Sequence, residues 1–325
     1  MNPILQATST HADPALPLTD EEATQLGEHG MRLYESLWRH LDSALTQLPD
    51  KPEESTNATL RALWHLASGT RVSAATALEV GVRPISTSQE EGLRVLVERR
   101  ISGEPLAHLT ERQRFFGLEM LAGPAALIPR RETELLASAA ASVLGELVTL
   151  RKAPCVIDAC TGCGNIALSL AHHFPSARIH ASDLSADAIG FARKNADLLR
   201  LSSPVDFRVG DLLAPFETDE FPGQVDLLTC NPPYISTKRL DTMPKEIIGH
   251  EPALAFDGGP LGVRILQRLI EEAPRFLRQG GWLAFEVGLG QGPAVRKRLE
   301  ASGSFTRVEH VADENGDIRV LLALH

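Results

Sequence analysis

From Ala153 onward, short apolar runs alternate with segments of helical length, and this alternation constrains the fold more than any other feature of the chain. The runs at 154–159, 178–182, 205–209, 225–230 and 282–287 read as strands. Residues 164–174, 185–200, 261–279 and 291–302 read as helices. Each crossover helix carries the chain back along a sheet face, so strands joined in this way lie parallel, with helices covering both faces. Near the end the alternation stops. The runs 305–311 and 317–323 are separated only by a short stretch containing Asn315-Gly316, a turn signal, and should form a hairpin. That would place one antiparallel strand at the end of an otherwise parallel, seven-stranded α/β sheet.

The earlier part of the chain has a different period. Residues 1–19 show none and read as a flexible tail. Leu33, Leu37, Leu41, Leu45 and Leu48 form a helical stripe flanked by Tyr34 and Trp38, and Leu60, Leu63, Trp64 and Ala67 form another. Ser88 to Glu91 reads as a capping box for a helix carrying Leu93, Leu96, Val97 and Ile101. The expected division is a small helical domain at 20–102, a β-hairpin-like connector at 103–130, and the α/β domain at 131–325. Stripes of this kind are ordinarily core.

The candidate chemistry lies where strands end. Asp158-Ala159-Cys160-Thr161-Gly162-Cys163-Gly164-Asn165 spans the first strand-to-helix turn of the sheet. Its glycines allow a tight turn and let a ligand approach backbone N–H groups. No Gly-Lys-Ser/Thr follows, so it is not a P-loop, and it meets the dinucleotide pattern only with Ala167 in the third place. Asp183 ends the second strand, where an acid would accept both ribose hydroxyls of a nucleoside; the alternative is a helix N-cap. Asp211 ends the third strand, placed to accept from an adenine amine or merely to cap a turn. Asn231-Pro232-Pro233-Tyr234 follows the fourth strand. Two prolines cannot continue a hydrogen-bonded ladder, so a side-chain amide sits where a buried strand stops. Cys160-x-x-Cys163 suggests thiol or metal chemistry. Cys155, however, lies roughly 16 Å back along the strand at about 3.3 Å per residue, so small apolar packing is preferred and no metal is assigned.

An acid-led glycine loop, a ribose-placed acid and Asn-Pro-Pro-Tyr after the fourth strand, taken together, resemble the class I S-adenosylmethionine-dependent methyltransferases. The wider context resembles the protein glutamine-N5 methyltransferases, which act on release factors and on a ribosomal protein. The matching segments are Gly103 to Thr110, Phe115-Phe116-Gly117, Ile128-Pro129-Arg130 with Glu132-Thr133-Glu134, Glu251-Pro252 with Asp257-Gly258-Gly259, and Glu286-Val287-Gly288 with Gln291. The match covers about residues 90 to 325, and the first ninety residues show little of it. Arg131 stands where the family often has proline, and Cys163 where it often has serine or threonine. Ile128-Pro129-Arg130 and Glu132-Thr133-Glu134 look like the release-factor branch. His250-Glu251-Pro252 and Cys160-Thr161-Gly162 look like the ribosomal-protein branch.

The resemblance implies a Rossmann-like, doubly wound domain binding S-adenosyl-L-methionine. The cofactor residues would be Asp158, Cys160, Thr161, Gly162, Cys163, Gly164, Asp183, Asp211, Leu212 and Asn231. The substrate amide would meet Asn231, Pro232, Pro233 and Tyr234. An amide nitrogen is a poor nucleophile and too weak an acid for a side chain to deprotonate, so catalysis would rest on positioning. Asn231 Oδ1 and the Pro232 carbonyl would accept the two amide hydrogens, while Tyr234 would pack on the amide plane.

Composition bears on partners. A net charge of −10 argues against broad nucleic-acid binding, which needs a basic face. No secretory signal or membrane-length apolar run is visible, and four cysteines are too few for a disulfide framework, so the cytosol is expected. The expected partner is a protein substrate, a release factor or a ribosomal protein, with no direct nucleic acid and no membrane. Rival readings are a nucleic-acid adenine methyltransferase, a small-molecule N-methyltransferase and a non-catalytic binding module.

Overall fold

Helix α1 (Asp20–Ala44) begins on Thr19, which accepts the Glu22 N–H and gives its own N–H to the Glu22 carboxylate at 2.9 Å. The computed structural model describes residues 18–47, 51–201, 204–218, 220–240, 242–243, 246–247 and 249–325. Most of the expected tail, and Leu48 of the first stripe, therefore lie outside the described residues. Gly27, at φ 64°, kinks α1, and Leu26, Leu33, Tyr34, Leu37 and Leu41 form its buried side. They share a core with α2 (Thr56–Ala67), α3 (Ala74–Glu79), α4 (Thr87–Ile101) and α5 (Leu106–Thr110). The capping box of α4 sits two residues ahead of the expected one, because Gln89 Oε1 reaches back to the Ser86 N–H at 2.8 Å.

Strands β1 (Arg112–Phe115) and β2 (Leu118–Leu121) form an antiparallel hairpin. Phe116 and Gly117 both have positive φ, as a two-residue hairpin turn demands. Helix α6 (Thr133–Leu150) then enters the sheet domain. By length and composition alone it is apolar enough to cross a membrane, contrary to the expectation that no run reaches that length. Its composition has another cause: Leu136, Ala137, Ala140 and Leu144 are buried in the core over the sheet centre.

The elements that follow are β3 (Cys155–Ala159), α7 (Asn165–His173), β4 (Arg178–Asp183), α8 (Ala186–Leu199), β5 (Asp206–Val209), β6 (Val225–Cys230) and α9 (Thr237–Leu240). After them come α10 (Arg264–Phe276), β7 (Leu277–Glu286), α11 (Gly292–Ala301), β8 (Arg307–Ala312) and β9 (Ile318–Leu324). The sheet order is β5-β4-β3-β6-β7-β9-β8. Successive strand residues face opposite sides, so Val156 joins the core with α6, α7 and α8, while Ile157 joins the core with α10 and α11. The Rossmann-like reading holds. The C-terminal hairpin forms too, but β9 inserts between β7 and β8, so the antiparallel strand is one in from the edge.

Within the helical layer, Glu22 accepts from the Arg61 guanidinium and from the Val82 N–H at 3.0 Å. Burial alone would raise its carboxyl, but Arg61 and the Thr19 and Val82 N–H groups overrule that and hold it at about 2. A carboxyl lowered on folding contributes stability above its unfolded pKa and loses it as pH falls through the folded value. Between about pH 5 and about pH 2 the chain should therefore lose roughly 3 kcal/mol that a Glu22→Gln variant does not. Denaturant unfolding at stepped pH checks this: the stability gap between the two proteins should close as acid is added.

Candidate functional site

The chain runs from β3 outward to β5, then returns to the other side of β3 to add β6. Ligands of open α/β sheets bind at such a switch point, beyond the carboxyl ends of the strands. A cavity lies there, enclosing about 1090 Å³ with its open mouth included. Its walls include Cys160, Thr161, Gly162 and Cys163 after β3, Asp183 after β4, Asp211 and Leu212 after β5, and Asn231 and Pro233 after β6. Asp158, Gly164, Pro232 and Tyr234 are next to these wall residues in the chain and do not themselves line the cavity.

The loop after β3 winds through left-handed conformations at Cys160 (φ 56°), Gly162 (φ 55°) and Gly164 (φ 84°). A Cβ on Gly164 would crowd Leu168 Cδ1 at 3.0 Å, whereas one on Gly162 would meet no protein atom within 4 Å. Cys160 adopts its strained backbone without glycine's freedom, which is characteristic of ligand-facing loops. Asp183 Oδ2 accepts the Gly162 N–H at 2.8 Å and Oδ1 accepts the Ser185 N–H at 2.9 Å. Burial raises the Asp183 carboxyl, and these two N–H groups oppose the shift. Ser185, not Asp183, caps α8, accepting the Ala188 N–H at 3.1 Å. Each Asp183 oxygen keeps acceptor capacity for a ligand hydroxyl.

Asp158 is wholly buried. It accepts hydrogens from Thr161 Oγ1 at 2.6 Å and Thr229 Oγ1 at 2.7 Å. Burial pushes its carboxyl up to about 6 in spite of them. Its role is to hold the loop, while the residues after it face the cavity. Asp211 is exposed at the mouth and takes Arg268 Nη1 on both oxygens, at 3.0 and 2.9 Å. Leu212 is buried with φ 47°, and its carbonyl accepts from Ser182 Oγ at 2.7 Å.

Asn231 follows Cys230, which pairs in register with Ala159 of β3. Its Nδ2 donates to Thr133 Oγ1 at 3.1 Å. Thr133 in turn donates to Glu286 Oε2 at 2.8 Å, and Tyr234 OH donates to Glu286 Oε1 at 2.9 Å. Tyr234 therefore turns its hydroxyl to Glu286 behind the cavity wall. Burial raises both the Tyr234 phenol and the Glu286 carboxyl. Gln291 donates to the Tyr234 carbonyl at 3.0 Å, and Glu251 accepts the Ile128 N–H at 2.9 Å and a hydrogen of Arg130. Thr133, Glu251, Glu286 and Gln291 all lie in the segments that carry the resemblance, yet nothing local to any of them in the sequence marks a role. Membership of those segments was the available signal.

The cysteines behave as packing groups. Burial pushes the Cys155 thiol up to about 11 and Cys163 up to about 12, away from thiolate chemistry. Among the described residues no three His, Cys, Asp or Glu side chains gather as a metal site. S-adenosylmethionine fits the residues present on two observations: the space in front of Gly162 and the Asp183 carboxylate beside it.

The family description "Methyltransferase small domain" matches residues 137–263. The chain is 40% identical over 231 residues to the release factor glutamine methyltransferase of Moorella thermoacetica, covering 70% of this chain and 77% of that protein. It is 32% identical over 290 residues to the release factor glutamine methyltransferase of Koribacter versatilis, covering 89% of this chain and 96% of that one. An alignment that long runs into the first ninety residues, where the sequence alone showed little resemblance. Among solved structures, the hMettl16 catalytic domain in complex with MAT2A 3'UTR hairpin 1 matches with a TM-score of 0.54 at 15% identity, covering 86% of this chain and 95% of that one, a likeness of fold.

Asp183→Ala removes both the proposed ribose acceptor and the clamp on Gly162. It should weaken S-adenosylmethionine binding by about tenfold or more in titration calorimetry, roughly the loss of one or two charge-assisted hydrogen bonds.

Proposed function

The chain belongs to the release factor glutamine methyltransferases, and on that premise we propose that it methylates N5 of a glutamine side chain in a peptide chain release factor. S-adenosylmethionine is the methyl donor. The observation that carries this reading is the position of Asn231, on the wall of the same cavity as Gly162 and Asp183 and one residue beyond the central strand β6. An amide acceptor thus stands beside a nucleoside site.

When bound, the cofactor supplies an electrophilic methyl group on a sulfonium. The loop from Cys160 to Cys163 and the Asp183 carboxylate would hold it, with Leu212 against the base. The chain's own contribution is orientation. Asn231 Oδ1 and the Pro232 carbonyl accept the two hydrogens of the substrate amide and turn its nitrogen toward the methyl. They would also stabilise the positive charge that develops on that nitrogen as its bond to the methyl carbon forms and the methyl–sulfur bond breaks, and one of the two amide hydrogens then leaves as a proton to water, restoring a neutral amide. Pro233 closes the cavity beside Asn231, and Tyr234 braces the motif through Glu286. Substrate recognition is assigned to the helical residues 20–102, with the partner a protein in the cytosol and neither nucleic acid nor membrane directly engaged.

A ribosomal protein is the second reading, favoured by His250-Glu251-Pro252 and Cys160-Thr161-Gly162. Labelled methyl transfer to purified release factor, ribosomal protein, DNA and RNA separates the candidates: label on nucleic acid alone would sink the protein-substrate reading. With release factor, Asn231→Ala should lower kcat by about 10²–10³, as removal of one transition-state partner does elsewhere. Cofactor binding should partly survive in that variant. Full turnover would overturn the role given to Asn231.

A further inference from the structure

A carboxamide is nearly symmetric in shape, so the Asn231 side chain has two orientations of opposite chemistry. One shows the cavity an acceptor oxygen; the other shows it an NH₂ donor. Resting on the reading that Asn231 holds a substrate amide, we propose that the Thr133 hydroxyl is the positioning group that fixes this orientation, and that Glu286 enforces it.

The hydrogens in this cluster are few enough to count. A threonine hydroxyl carries one hydrogen, and Thr133 spends it on Glu286 Oε2 at 2.8 Å. Glu286 is 2% exposed and takes a second hydrogen, from Tyr234 OH, on its other oxygen at 2.9 Å. A carboxylate receiving hydrogens on both oxygens is acting as acceptor only; burial raises the Glu286 carboxyl, and the Thr133 and Tyr234 hydroxyls with the Arg319 guanidinium oppose that shift in favour of the charged form. The Thr133 oxygen is left with lone pairs alone to offer Asn231. The partner it can satisfy is Nδ2, which donates to it at 3.1 Å. Turning the carboxamide over would set Oδ1 against the Thr133 oxygen with no hydrogen between them. The same turn would aim an NH₂ at a substrate that itself brings N–H groups. The wrong orientation is thus penalised on both sides, and a buried mismatch of this kind is costly. Thr133 acts through Asn231, at the start of α6 and 98 positions away in the chain.

Thr133→Val keeps the shape and removes the hydroxyl, whereas Thr133→Ser keeps the hydroxyl. Valine should lower kcat for release-factor methylation by roughly 10- to 100-fold, leaving the dissociation constant for S-adenosylmethionine within about twofold. Serine should restore kcat to within about threefold of the parent. The Asn231 side-chain amide protons, followed by NMR in the full chain, report the same orientation without turnover, and valine should speed their exchange with solvent at least about tenfold. A valine variant with parental kcat, serine as slow as valine, or unchanged amide exchange would each overturn the proposal. So would a parallel loss of cofactor affinity, which would make Thr133 a wall residue only. If valine prevents folding, Thr133→Ala is read in the same way. A parent protein that fails to methylate release factor would sink the substrate reading alone, because the exchange measurement does not depend on it.

Discussion

One buried carboxylate connects the two halves of the site. Asp158, next to last in β3, receives hydrogens from Thr161, in the glycine loop that follows, and from Thr229, on β6 just before Asn231. The left-handed turns at Cys160 and Gly162 and the emergence of Asn-Pro-Pro-Tyr are therefore referenced to the same group. Burial raises its pKa to about 6, so the anion is held against a desolvation cost by those hydroxyls. A switch point between parallel strands offers a crevice; this carboxylate gives the crevice a fixed geometry.

The motif after β6 is held by close packing as much as by hydrogen bonds. A Cβ on Gly258 would come within 2.7 Å of the Pro233 carbonyl, and one on Gly262 would overlap the Tyr234 carbonyl. Gln291 then bridges the Tyr234 and Gly262 carbonyls, at 3.0 and 3.2 Å. Two prolines have no N–H with which to anchor their own loop, so neighbouring backbone and one side-chain amide do it for them. The path of the loop is set by these close contacts.

The parts of this arrangement legible in the sequence were those with a local cause. Strand and helix alternation exposed the sheet, and turn residues exposed the ends of β3, β4 and β6, where a doubly wound sheet puts its ligand. What stayed hidden depends on contacts between distant segments. Nothing near Tyr234 says that its hydroxyl will find Glu286, 52 positions on. Nothing near Ile318 says that β9 will wedge between β7 and β8. The capping box of α4 was displaced because Ser86 and Gln89 compete with Ser88 and Glu91 over one stretch of chain, and local pattern does not rank them. The length and apolarity of α6 make sense only once it is seen lying across the sheet centre.

The helical layer is joined to the site by charge. Lys51 and Arg100 both bind Glu246, at 2.5 and 2.9 Å, and Arg100 also binds Glu54 at 3.1 Å; all four side chains are at least nearly buried. Burial opposes charge on both acids. It prevails at Glu54, whose carboxyl is raised, while Lys51 and Arg100 prevail at Glu246, which is lowered. Such a cluster adds little net stability over an apolar contact of the same size, but it is directional, and losing one partner strands the others. Glu246 lies between Asn-Pro-Pro-Tyr and Glu251, and Glu251 holds Arg130 in the cavity wall. The helices, the segment after the motif and the cavity wall are thus set relative to one another by ionic geometry. An apolar interface is non-directional and can slide; a buried carboxylate shared by a lysine and an arginine is directional and cannot. The layer α1 to α5 is accordingly held against the segment after Asn-Pro-Pro-Tyr in a register that the fold has already chosen.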